Sequence, residues 1–202
     1  MASQVSRTLA QAKVLDGAVC CIVSKGTERT TAGDIARAGQ VSRATLYRVF
    51  PGGKSAIYAA LVEREVARLF VALGTAMQEA DNLEDMLVLG ICTTARWLRD
   101  HEVLQYLLEQ EPGMILPMLA FSNMDSLLHL VGSFSVSYFA RWLDTGESER
   151  AVEWAVRIVI SHLICPEDAT DLCLEAHTRR IARNFVLPGI RSLGPTRSLD
   201  PV

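Results

Sequence analysis

Cysteine and histidine are scarce in this chain, with five and four among 202 residues. Five is an odd number, and the spacing makes no disulfide framework. That points to a reducing cytoplasm. No long apolar stretch occurs either. The longest uncharged run, 126–140, is fifteen residues and includes His129. A membrane span needs about 20 apolar residues, so none is expected. The opening residues, MASQVSRTLAQAK, lack the apolar region of a signal peptide. Alternating β-branched runs and Asn-Gly hairpin signals are missing, which argues against a sheet. A Gly-rich phosphate loop, a G-x-S-x-G elbow and an HExxH motif are also missing. The histidines at 101, 129, 162 and 177 are scattered, so no enzymatic constellation is expected. There is no internal repeat and no low-complexity tract.

What is present is an ordinary globular balance, with 50 % apolar and 21 % charged residues. A chain of this size buries roughly 70 % of its unfolded surface and needs no disulfide or metal staple. The net charge of −3 hides a division. Residues 1–64 carry nine Lys/Arg against four Asp/Glu, and the remainder carries 11 against 19. A basic head on an acidic body points to a polyanion as the head's partner.

The hydrophobic period is helical almost throughout. A first helix spans about Thr8 to Lys25, with Leu9, Ala12, Leu15, Val19, Ile22 and Val23 on one stripe, and stops at Gly26. Thr31 to Asp34 resembles a capping box that opens a short helix ending near Gly39. Ser42 caps another, with Leu46, Val49 and Phe50 facing inward, and Pro51-Gly52-Gly53 stops it. A long helix follows Lys54. Asn82 to Asp85 starts another that runs to about Asp100, and 102–110 form a short one. Pro112, Gly113 and Pro117 break up the next segment. Ser122 or Asn123 leads into a helix to about Asp144, Thr145-Gly146 is a turn, and 148–164 are apolar on nearly every side. Pro166 precedes a last helix at about 169–186.

One helix followed by two short helices across a tight turn is the helix-turn-helix pattern. The second short helix would enter a major groove by its N-terminal end. Ser42, Arg43, Ala44, Thr45 and Tyr47 form that front. Arg43 can read guanine or hold phosphate, and Thr45 can touch a thymine methyl. Tyr47 and Lys54 are phosphate candidates, and Thr30 and Thr31 lie where a helix N-terminus favours phosphate.

The stretch from Thr30 to Lys54, with Ile35-Ala36, Val41-Ser42, Leu46-Tyr47, Phe50 and Lys54 in one register, resembles the signature of TetR-type transcriptional regulators. The match covers residues 8–65. It implies an all-α homodimer with an N-terminal DNA-binding head and a variable body for ligand binding and dimerisation. Two departures stand out. The family's Ala-Gly-Val-Ser turn is here Gly39-Gln40-Val41-Ser42, and its usual His before the Phe is Val49. Either Gln40 takes a left-handed conformation, at about 1 kcal/mol, or the second helix ends one residue early.

In that family the central helices enclose an effector pocket. The corresponding candidates are Met86, Leu89, Gly90, Trp97, Tyr106, Met114, Met118, Phe121, Met124, Phe134 and Tyr138. Plain core packing is the alternative for each. Glu109 and Glu111 either attract a cationic ligand or sit in a solvated loop. The last two helices would form the dimer interface through Val152, Val156, Val159, Leu163, Leu174, Ile181 and Phe185. His162, Cys165, Cys173 and His177 have partial metal-ligand spacing, but a seven-residue central gap and the common role of Cys as a small buried hydrophobe favour packing.

The expectation is therefore an all-α protein with a helix-turn-helix head at 1–53, an effector and dimerisation body at 54–188 and a loose tail at 189–202. It acts in the cytoplasm as a homodimeric repressor on a double-stranded, pseudo-palindromic DNA operator. A small, mainly hydrophobic effector releases it, and no cofactor, metal or membrane is involved. A helical scaffold that binds only protein is the alternative, and it leaves the basic head unused. An enzyme without a recognisable motif is a weaker one.

Overall fold

The computed structural model describes residues 2–119, 121–166 and 169–191, with side chains described for 4–117, 124–166 and 169–190. Among the described residues there is no strand. The helices are α1 (Ala2–Lys25), α2 (Ala32–Ala38), α3 (Arg43–Val49), α4 (Gly53–Gln78), α5 (Leu83–Asp100), α6 (Glu102–Gln110), α7 (Pro112–Leu119), α8 (Phe121–Phe139), α9 (Thr145–Ile164), α10 (Glu175–Ile181) and α11 (Leu187–Arg191). A π-helical stretch, Ala182–Val186, joins the last two. None of these helices is long and apolar enough to cross a membrane.

The chain forms two compact units. One is Met1–Leu69 with His101–Leu116, and the other is Phe70–Asp100 with Pro117–Val202. The sequence boundary at 53/54 follows the Pro-Gly-Gly break, whereas packing carries the first part of α4 and all of α6 into the unit of α1–α3. Residues 189–191 belong to α11, and the rest of the expected tail lies outside the described residues.

In the first unit, Val14, Leu15, Ala18 and Ile22 of α1 meet Ile35 and Ala36 of α2, Leu46 and Val49 of α3, Ile57 and Leu61 of α4 and Val103 of α6. Glycine lets two backbones touch. A Cβ at Gly17 of α1 would lie 2.6 Å from the Gly39 backbone nitrogen, and one at Gly39 would strike the Lys13 carbonyl. No larger residue fits this crossing. That accounts for the glycine's unusual place in the turn. The left-handed position next in line falls to Gln40, with φ +53°. The Gln40 N–H donates to the Arg37 carbonyl at 3.1 Å and that of Val41 to the Ala36 carbonyl at 2.9 Å. Such a helix ending ordinarily places glycine at the left-handed residue.

In the second unit, α5 buries Met86, Leu87, Val88 and Ile91, and α9 buries Ala151, Val152 and Val159. Arg179 donates to Glu84 at 2.8 Å and Asp85 at 2.6 Å, and Arg183 donates to Glu84 at 2.7 Å. These pairs hold the first turn of α5, where acidic side chains also suit the helix dipole. Arg183, with Arg179, keeps the Glu84 carboxyl below its usual range.

Four sequence expectations are corrected. Pro112 opens α7 instead of breaking it, because a proline at the first helical position gives up no needed N–H. Pro117 lies inside the same helix. Helix α8 ends at Phe139, and Thr145-Gly146 begins α9, because Asp144 and Glu147 form a reciprocal capping box. The last helix begins at Glu175. Before it, the Asp171 carboxylate accepts the Cys173 N–H at 2.8 Å, and the Asp171 N–H donates to His177 Nδ1 at 3.0 Å.

Replacing Gln40 by glycine relieves the left-handed strain while leaving the Gly17–Gly39 crossing intact. Gln40→Gly should raise stability by about 1 kcal/mol, about 2–4 °C in melting temperature for a chain of this size. A calorimetric melt of the two proteins measures it.

Candidate nucleic-acid interface

Two capped helices present the surface of the first unit that the sequence singles out. Thr31 caps α2 reciprocally with Asp34. Its N–H donates to Asp34 Oδ2 at 3.0 Å, and its hydroxyl accepts the Asp34 N–H at 3.2 Å. The Lys25 ammonium lies 2.6 Å from Asp34. That ammonium and the Thr31 donors hold the Asp34 carboxyl well below the usual carboxylate range. Ser42 caps α3, and its hydroxyl accepts the Thr45 N–H at 3.0 Å.

With Leu46 and Val49 buried beneath, α3 turns Arg43, Ala44 and Tyr47 outward. Tyr47 is 51 % exposed, and Thr45 is half-buried. Exposed Arg37 and Arg48 stand nearby in sequence. The Arg43 guanidinium lies over Gly33, where a Cβ would sit 2.5 Å from its Nη2. Gly33 therefore leaves room for Arg43 to lie along α2, a role its place in the sequence did not disclose.

Two of the expected contact residues face elsewhere. Thr30 is 1 % exposed, and its hydroxyl donates to the Gly26 carbonyl at 2.6 Å. Its side chain is not presented to a partner. The Lys54 ammonium turns into the α1–α2 loop and donates to the carbonyls of Thr27 at 2.9 Å, Thr30 at 3.1 Å and Glu28 at 3.4 Å. A count of basic residues does not reveal which cations are already engaged by backbone carbonyls.

Residues 14–61 match the family model for bacterial regulatory proteins of the tetR family. Along most of its length the chain is also similar to an HTH-type transcriptional regulator of Mycobacterium tuberculosis, named so in two strains. Identity is 29 % over 181 residues, which cover 89 % of this chain and 85 % of the relative. Residues 14–61 thus resemble the DNA-binding head of tetR-type regulators. Solved structures agree at the level of fold. The TetR family repressor AlkX from Dietzia sp. strain DQ12-45-1b superposes with a TM-score of 0.61 at 17 % identity, covering 90 % of this chain and 97 % of that one. The fatty acid degradation regulator FadR from Bacillus halodurans gives 0.57 at 19 %, covering 88 % and 96 %. The chain is a DNA-binding transcriptional regulator with a tetR-type head.

The effector candidates of this chain divide between the units. Tyr106 packs on the core of the first unit, and Met114 is exposed in that unit. In the second, Met86 is buried while Leu89, Gly90, Trp97, Met124, Phe134 and Tyr138 are half-buried. Phe134 stacks on Phe70 at 4.5 Å and meets Tyr138 at 5.3 Å. The side chains of Met118 and Phe121 lie outside the described residues.

The dimerisation candidates also fall into two sets. Val152, Val159 and Ile181 are buried in their own unit, Val156 and Leu163 are half-buried, and Leu174 and Phe185 are exposed. Ile181 and Phe185 do not share one face as α-helical spacing suggests, because the π-helical stretch begins between them. Trp154, which was not among the dimerisation candidates, is exposed on α9.

The remaining candidates are engaged locally. His162 Nδ1 lies 2.9 Å from the Ile158 carbonyl, Cys173 is buried and Cys165 is exposed. Burial, joined by a hydrogen bond to Asp171, pushes the Cys173 thiol up to about 11. Cys20 and Cys21 divide into one exposed and one buried thiol, as neighbours on a helix must. Glu111 is neither in a solvated loop nor open to a ligand: its carboxylate accepts from Thr27, 84 positions earlier.

The Lys54 ammonium is engaged by the carbonyls of the loop. Lys54→Met should lower stability by about 1.5–3 kcal/mol, since three carbonyls lose a charged donor. The slope of log K against log salt for DNA should stay unchanged. A phosphate contact would instead make it shallower by about one unit.

Proposed function

We propose that the chain is a homodimeric repressor that acts in the cytoplasm on a pseudo-palindromic operator and is released by a small, mainly hydrophobic effector. The observation that carries the reading is the outward front of α3, where Arg43, Ala44 and Tyr47 are exposed above a buried Leu46 and Val49. Small residues at 42, 44 and 45 let such a helix sit close to base edges, and Arg43 supplies a planar bidentate donor. Two heads related by a two-fold axis would meet successive major grooves.

Trp154 at 44 % and Phe185 at 66 % exposure support assembly through α9 and the segment around the π-helical stretch. Large aromatics left in water favour burial against a second copy. For the effector, the support is the second unit's aromatic group of Phe70, Phe134 and Tyr138 and the space beside α5. A Cβ at Gly90 would meet nothing within 4 Å. Two regulators of similar fold are implicated in n-alkane biodegradation and named for fatty acid degradation, respectively, and the proposed ligand is of that apolar class. Effector and operator then weaken each other by one shared coupling free energy.

Duplexes selected from a random-sequence pool by the full chain should converge on an inverted repeat. Arg43→Ala should bind that duplex more weakly by about 1–3 kcal/mol if Arg43 reads guanine. Failure of the pool to converge contradicts the reading. Sedimentation tests assembly: Phe185→Glu should give folded monomers, whereas Val159→Glu should unfold the chain because Val159 faces its own core. An effector panel containing an n-alkane and a long-chain fatty acid tests release by fluorescence anisotropy of the bound duplex. Gly90→Phe should retain operator binding and lose that release.

A further inference from the structure

The loop between α1 and α2 is held through Thr27. Its N–H donates to Glu111 Oε1 at 2.8 Å, and its hydroxyl donates to Glu111 Oε2. Its carbonyl accepts from the Lys54 ammonium at 2.9 Å and the Tyr58 hydroxyl at 3.2 Å. Thr27 is itself buried. Gly26 is shaped to the same carboxylate. It has φ +87°, and a Cβ there would run into Glu111 Oε1. The helix that brings Glu111 into place is anchored, since Val103 of α6 is in the core and Tyr106 and Leu107 pack against it. Four residues after Thr27 comes Thr31, the cap of α2.

We propose that Glu111 is a positioning residue for DNA binding, which fixes the α1–α2 loop through Thr27 and so sets where α2 and the front of α3 meet the duplex. This rests on the DNA-binding role of the head. The sign of the effect separates positioning from charge. Glu111 places a negative charge in a unit that must approach a polyanion, so on electrostatics alone its removal strengthens DNA binding. Positioning demands the reverse. Held by two hydrogen bonds, the carboxylate orders a loop that would otherwise take several conformations, and a protein whose competent state is only partly populated binds with proportionally lower affinity.

The experiment measures anisotropy of two labelled duplexes, one selected from a random pool by the wild-type chain and one of scrambled sequence. All measurements are made well below each variant's melting midpoint. Glu111→Ala should bind the selected duplex at least tenfold more weakly and the scrambled duplex as well as wild type or better. Thr27→Val, which keeps the N–H and the shape but removes the hydroxyl, should lose in the same direction, and Thr27→Ser should restore binding. Loss of stability alone would leave the ratio of the two affinities unchanged in the folded protein. Selected-duplex binding by Glu111→Ala equal to or tighter than wild type overturns the proposal, as does an equal loss on both duplexes. If Glu111→Ala does not fold, the Thr27 pair decides on the same criterion. A wild-type chain that selects no duplex removes the DNA-binding premise and the proposal with it, an outcome distinct from a variant that binds unchanged.

Discussion

The crossing of α1 and α2 at Gly17 and Gly39 is the constraint on which the presentation of α3 depends. With no side chain on either residue, the α2 end rests on the α1 backbone, and Ile35 and Ala36 reach the common core. The following turn must then be made by Gln40 in a left-handed conformation. That turn delivers Ser42 as the cap of α3 and points Arg43, Ala44 and Tyr47 away from the core. Close packing elsewhere in the unit maintains the arrangement, because neither helix can shift without opening a void or a clash.

Electrostatics in this unit acts inward as well as outward. Lys25 neutralises the Asp34 carboxylate at the start of α2, Lys54 bridges loop carbonyls, and Arg64 pairs with Asp16. Part of the basic excess at 1–64 thus holds the fold. Around α2 and α3, Arg43 and Arg48 are exposed, as is Arg37, which lies 3.4 Å from Asp34, and such side chains can meet a polyanion. This selection matters more to recognition than net charge, since only side chains free to reach phosphate release counterions from DNA.

Much of the head was legible because its signals are local. The Thr31–Asp34 box, the Ser42 cap and the buried Leu46, Val49 and Phe50 follow from spacings of three or four residues, and each occurs where it was read. The Asn82–Asp85 start and the 102–110 helix are likewise local and present. Breaker residues misled where their effect depends on position. Pro112 at a helix's first position and Gly146 behind the Asp144 cap are compatible with helix. Least legible were contacts between distant residues. The sequence offers Tyr106 as an effector candidate but does not disclose that it packs on the core of the first unit, and nothing near Glu111 in sequence points to Thr27. The face of α9 was also ambiguous. A helix apolar nearly all round does not disclose that Val152 and Val159 face inward while Trp154 faces out.

The central claim is that the front of α3 touches DNA. It is tested most directly by placing a photo-cross-linking residue at position 45 in one variant and at position 154 in another, then irradiating each with a duplex selected by the wild-type chain. Adducts from position 45 and none from position 154 are the predicted result. Absence of adducts at position 45, with the selected duplex still bound, would contradict the account.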